Sequence, residues 1–288
     1  MRYELGYKDR QNLYHTSHSG HFQSFSSLHY KRATIGLPFL TIFVLMLFLG
    51  CAPLVPSPPT APFSHKETTQ LISNLRAQGE KIVSFQGVGR VRFKNREEES
   101  ELNLLAVGCR PFKIRVEISH PWGKPLFFVV LDGGNASVLS LVDTKFFTGK
   151  SSRLPIKSIF LVGLDLDSLW HILAGTVPIL PYSRAVSLEP HAISLLNGAG
   201  EVNERVSFYP HSPLPHSVSF PEKGIAVLLS DFREGNLGPN PLKIEIAMNH
   251  TDRYVEIRYK DLTRNKPIPE EVFSLDPPPG FEVIELNE

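Results

Sequence analysis

The chain has 288 residues, 42% of them hydrophobic, with 30 Lys and Arg against 29 Asp and Glu and a formal net charge of +1. Residues 1–50 hold five Lys/Arg and two Asp/Glu, so the remainder carries 25 basic and 27 acidic residues, a charge of −2. That balance lacks the basic footprint of a nucleic-acid binder, and the length suits one large β domain behind a leader.

In chain order, residues 1–30 are rich in His and Ser, and no methionine lies between Met1 and Met46. Lys31 and Arg32 then precede an uncharged apolar run from Ala33 to Gly50, and Cys51 follows directly. A basic stretch, an apolar stretch and small residues at a processing point form the layout of an export signal. The run also has about the ~18 residues at which membrane spanning begins, but the cysteine at its end argues for processing. Leu47-Phe48-Leu49-Gly50-Cys51 resembles the bacterial lipobox, which implies that residues 1–50 are removed and Cys51 is lipidated. Residues 51–65 include APLVPSPPTAPFS, a proline-rich tether, semi-rigid where the prolines cluster. With Cys51 acylated, Cys109 is the only other thiol, so no internal disulfide is expected; in LLAVGC it reads as a buried, inert side chain.

The body, residues 66–288, opens with HKETTQLISNLRAQ (65–78), where Leu71, Ile72 and Leu75 recur at helical spacing. The period then becomes two. Val91 and Phe93, then Ile114, Val116 and Ile118, then Ile244 and Ile246, then Val255 and Ile257 alternate with polar residues, as in strands with one apolar and one wet face. LFFVVL (126–131) is apolar throughout and reads as a strand covered on both sides. Turns are expected at Asp132-Gly133-Gly134, at Asn197-Gly198 and from Asn249 to Asp252. LDLDSLWHILAG (164–175) reads as a second helix with Asp167 as N-cap and Gly175 just past its end. The whole suggests a mainly β fold, an antiparallel sheet that curls and is closed or plugged by helices. Periodicity alone leaves open whether the apolar faces line a cavity or fill a solid core.

Signals for catalysis are weak. There is no HExxH, no CxxC pair and no P-loop. His65, His120, His171, His191, His211, His216 and His250 are scattered, with no ligand spacing, so no metal and no cofactor are expected. Glu97 to Glu99 read as a solvated hairpin tip, and Asp165 and Asp167 as helix-start carboxylates. No nucleophile or base stands out, so no enzyme is expected.

The order of FQGVGRVRF, HPWGKPLFFVVLDGGNASVLSLVDTKFFTG and LDSLWHILAGTVPI resembles the outer-membrane lipoprotein receptor family LolB, or a related group of uncharacterised lipoproteins with the same barrel. The matching motifs are His120-Pro121-Trp122-Gly123, Leu126 to Leu131, Phe146-Phe147 and Leu173 to Pro178, with LPHSVSF (214–220) and residues 257–273 as closing strands. The family has Asn where this chain has His120, and the stretch from Pro178 to Ser207 is longer than the pattern requires. The resemblance implies an open β-barrel lidded by helices around an apolar cavity for acyl chains. The cavity would be lined by Val91, Phe93, Ile114, Val116, Ile118, Ile244, Ile246, Val255 and Ile257. It further implies an anchored, monomeric protein on the periplasmic face of the outer membrane that takes lipidated proteins, from a periplasmic LolA-like carrier, and inserts them. A periplasm-facing structural or assembly lipoprotein with a filled barrel is the alternative. In the family the Pro121-Trp122-Gly123 loop would touch the membrane. From the residues alone, Trp122 either folds back onto the sheet or projects from the turn.

Overall fold

The computed structural model describes residues 61–94, 98–151, 163–248 and 253–286, and among these it has two α-helices and fourteen β-strands. Helix α1 (His65–Glu80) starts at a capping box: the Glu67 amide donates to the Ser64 hydroxyl (3.3 Å) and the Ser64 amide to the Glu67 carboxylate (2.8 Å). It buries Ile72 and Leu75, as their spacing predicts, while Leu71 lies at the edge of the core.

A first meander follows, with β1 (Ser84–Lys94), β2 (Glu99–Cys109), β3 (Lys113–Ser119), β4 (Pro125–Asp132), β5 (Asn135–Ser140) and β6 (Lys145–Lys150). Helix α2 (Leu166–Leu173) precedes a second meander: β7 (Arg184–Val186), β8 (Ala192–Leu196), β9 (Val202–Phe208), β10 (Pro215–Phe220), β11 (Ile225–Arg233), β12 (Asn240–Met248) and β13 (Arg253–Arg264). Antiparallel pairing of β1 with β13 joins the two meanders. The last strand, β14 (Glu282–Leu286), adds to β6 in parallel, the one departure from the expected antiparallel pattern in this sheet. The edges are β14 and β7, so the sheet is unclosed. Laid flat, fourteen strands would span about 60 Å. Val138 of β5 and Leu195 of β8 nonetheless share one buried cluster with Ile72 of α1 and Trp170 of α2. The sheet therefore curls around the helices into an open barrel. Strands β7 and β8 lie between Pro178 and Ser207.

Helix α2 is held by its polar ends. Its N-cap is Asp165, whose carboxylate accepts from the Ser168 amide at 2.8 Å; Asp167, the expected cap, lies in the first turn, 3.6 Å from His171. Both aspartates suit the helix start chemically, but Asp165 has the extended backbone of a cap (ψ 165°) and accepts the amide, whereas Asp167 lies within the helix. At the other end Arg264 donates to the carbonyls of Ala174 and Gly175 (3.0 Å each) and Tyr259 donates to Leu173 (3.0 Å). These are the carbonyls a helix leaves unpaired. Burial depresses the Arg264 guanidinium to about 10. Gly175 has φ +72°, and a Cβ there would sit 2.8 Å from Arg264 Nη2, so glycine is required on both counts.

The chain after β13 crosses the outer face of the first meander as a strap. Asn265 accepts from the Val83 amide (2.8 Å), Ser84 donates to the Lys266 carbonyl (2.7 Å), and Arg115 donates to the carbonyl of Val272 (3.0 Å). Lys113 pairs with Glu270. Beneath the strap Phe273 packs on Val107 and Val130, with Leu105, Ile268, Val272, Leu275 and the free thiol of Cys109 around them. The expected cover on both sides of LFFVVL holds for its second half, where Val129 and Leu131 face the main core and Val130 the strap, whereas Leu126, Phe127 and Phe128 are half-buried. The turn at Asn249–Asp252 and residue Glu97 lie outside the described residues, whereas Glu99 sits in β2 facing Arg92 (3.4 Å) and Lys94 (3.6 Å).

Candidate functional site

The inner face is packed. Val91, Ile114, Val116, Ile118, Ile244, Ile246, Val255 and Ile257 are all buried in one cluster with Ile72, Leu75, Trp170, Ile172 and Leu173 from the helices, and Phe93 packs at its margin. The structure thus brings all nine expected cavity residues onto one face, but helices fill the space in front of them. Ile118 also borders the outer groove described below. Glu204 of β9 is fully buried on this side; one oxygen accepts from the Leu180 amide (2.8 Å), the other has no partner, and burial pushes its carboxyl up to about 8. Sequence reasoning missed it because a glutamate within a polar-looking NERV carries no mark of burial.

The β3–β4 turn is the opposite case. Trp122 is 75% exposed. The turn is rigid: the Gly123 amide donates to the His120 carbonyl (2.7 Å), the His120 amide to the Lys124 carbonyl (2.8 Å), and Gly123 adopts φ +91°. Asn103 of β2 donates its amide to the carbonyls of His120 (2.9 Å) and Pro121 (3.4 Å), bracing the tip from the sheet. The Trp122 ring stacks on the His120 ring with centroids 3.7 Å apart, so it is held outward rather than free to fold back. His120 supplies that platform. The adjacent β5–β6 turn, at the same end of the sheet, exposes Val142 (61%).

A groove of about 630 Å³ lies on the outer face, close to this turn. Val88, Leu105, Glu117 and Phe128 form its floor, Asn103, Ser119 and Pro125 its wall toward the Trp122 turn, and Arg90, Arg258 and Lys260 its cationic end. It continues under the edge of the strap, where Leu105 and Glu117 also border a second cavity with Pro267 and Ile268.

Other expected features separate. His191 and His211 lie with ring centroids 6.1 Å apart beside Phe63, and His171 contacts Thr176 (2.9 Å). Among the described residues no group of three or more His, Cys, Asp or Glu side chains could hold a metal ion. For Asp165, burial acts upward, but the Ser168 amide and the Lys223 ammonium (2.9 Å) outweigh it and hold the carboxyl below its ordinary value, as fits a cap. Cys51 lies outside the described residues, and no described helix is long and apolar enough to cross a membrane.

No family model and no curated protein matches the chain. Among solved structures, a DUF1329 family protein from Desulfovibrio piger is 7% identical with a TM-score of 0.48, covering 73% of this chain and 96% of that one. A putative outer membrane lipoprotein-sorting protein domain from Vibrio parahaemolyticus is 10% identical with a TM-score of 0.48 (73% and 97% covered). A LolA superfamily protein from Nitrosomonas europaea is 13% identical with a TM-score of 0.48 (70% and 97% covered).

Proposed function

We propose that this protein is a non-catalytic lipoprotein, anchored through Cys51 on the periplasmic face of the outer membrane, that binds acyl chains of lipidated proteins and releases them into that membrane. A periplasmic LolA-like carrier would supply the cargo. The observation that carries this reading is Trp122, an exposed ring on a braced turn. Its apolar ring and indole N–H suit the interfacial layer of a bilayer, and the turn costs no reordering when it docks. The leader, the lipobox-like Leu47–Cys51 and the resemblance of the His120–Gly123 loop support the same assignment. Trp122→Glu should leave the unfolding midpoint near wild type, since the ring is not part of the core, while abolishing transfer of a bound lipoprotein to liposomes. Transfer at the wild-type rate would refute the reading.

The packed inner face favours a second reading, a structural or assembly lipoprotein without ligand. Titration of the purified protein with a fluorescent fatty acid separates the two, since saturable uptake is expected only of an acyl-binding protein.

A further inference from the structure

We infer that the outer-face groove is a binding site for a single acyl chain bearing an anionic head group. Strand register sets the floor of the groove. Val88 stands opposite Leu105, Leu105 opposite Glu117, and Glu117 opposite Phe128, which places Val88, Leu105 and Phe128 in one row across four strands on the outside of the barrel. Outward positions of a barrel facing water are normally polar, yet Val88 is 45% exposed in this row. One step toward the Trp122 turn runs a polar row, in which Arg90 faces both Arg258 and Asn103, and Asn103 faces Ser119. The strap bounds the other side. The result is a trough whose floor presents Val88, Leu105 and Phe128, with Glu117 standing in the row between the last two.

Among the lining side chains Arg90, Arg258 and Lys260 are cationic and Glu117 is acidic, and Asp261 stands opposite Val88. Glu117 is neutralised by Arg115 at 2.6 Å. Arg90 and Arg258 have acidic neighbours in Glu101 (2.6 Å) and Glu256 (2.5 Å) but lie on the surface, and Lys260 has no ion-pair or hydrogen-bond partner among the described residues. Lys260 reaches this end through a bulge: Val88 pairs with Asp261 and Gly89 with Tyr259, leaving Lys260 as the extra residue. The bulge depends on Gly89, where a Cβ would lie 2.0 Å from the Arg258 carbonyl oxygen. A trough with apolar side chains along its floor, ending at the unpaired Lys260 ammonium, complements an amphiphile with a carboxylate head, and its wall adjoins the turn that presents Trp122. The tail lies on Val88, Leu105 and Phe128, and the head at Lys260, Arg258 and Arg90.

This site rests on the reading of the protein as a handler of acyl chains, and it relocates the chain from the inner to the outer face. The test uses the full-length protein and palmitic acid carrying a photoreactive diazirine, with adducts mapped by mass spectrometry. Adducts on Val88, Leu105 and Phe128 are expected. Val88→Glu should weaken labelling about tenfold, and Lys260→Glu should weaken labelling by the acid but not by the matching fatty alcohol. Both side chains are exposed, so both variants should keep the wild-type unfolding midpoint. Adducts on inner-face residues such as Val116 or Ile246, labelling indifferent to both variants, or no labelling would overturn the site. A groove that ignores the lipid but takes up a peptide copied from residues 265–281 would be a peptide-docking site, which also overturns it. Normal groove labelling with Trp122-independent transfer would refute the proposed delivery role and leave the groove standing; the reverse pattern would do the opposite.

Discussion

Glu204 makes the stability of this fold depend on pH in an unusual direction. Its carboxyl has an ordinary value of 4.5 and, buried at 0% exposure with one oxygen unpartnered, a folded value of about 8. Between those two pH values the unfolded chain has released the proton and the native chain has not. The native state then binds more protons, so stability falls as pH rises through the window and levels off above about 8. At ~1.4 kcal/mol per pH unit the full window corresponds to about 5 kcal/mol, and local relaxation around the ionised group reduces that to about 3–5 kcal/mol. Glu204→Gln keeps the volume and the acceptor for the Leu180 amide but cannot ionise. Denaturant unfolding of wild type and variant from pH 4.5 to 9 isolates this one group. The variant should match wild type, or fall ~1 kcal/mol below it, at the acid end, where its amide adds an unpaired donor. At pH 9 it should be the more stable by several kcal/mol. A difference constant across the range would mean that Glu204 is hydrated and ionised in the native state, and the reasoning would fail.

Arg264→Ala should cost about 3–5 kcal/mol, because it strips two buried carbonyls at the end of α2 of their donor and leaves a void; Tyr259→Phe, which removes one hydrogen bond to Leu173, should cost ~1 kcal/mol by the same denaturant assay. Phe273→Ala should free the strap before the barrel: limited proteolysis should cut within residues 267–281 while the rest stays resistant, and equal resistance of strap and barrel would refute an independent outer cluster.

Much of the fold was legible in the residues. Alternation in Lys113–Ile118 or Lys243–Met248 marks strands because side chains of a pleated strand point alternately in and out, and that is a property of the local chain. The apolar run Leu126–Leu131 announced cover on both faces, which holds for Val129 to Leu131 and not for Phe128, and it did not announce that the cover would come from residues some 140 positions later, since a strand carries no record of its partner. The helix 164–175 was visible in Leu169, Trp170, Ile172 and Gly175, whereas its cap fell to Asp165, where the backbone is extended, over Asp167, which lies within the helix. The outer groove was invisible: Val88, Leu105 and Phe128 belong to three strands and become neighbours only through register, and Lys260 joins them only because a bulge shifts it.

By itself the sequence determined the strand periods, the turns at Asp132–Gly134 and Asn197–Gly198 and the two helices, all of which depend on residues within a few positions of one another. Tertiary structure alone decided that helices occupy the space in front of the inner face, that Glu204 and Arg264 are buried, and that the open apolar surface lies outside the barrel. It also decided the outcome for Trp122, whose ring stands exposed because His120 stacks beneath it and Asn103 of the neighbouring strand holds the turn. Burial is a relation between segments distant in the chain, and no local pattern encodes which of them will meet.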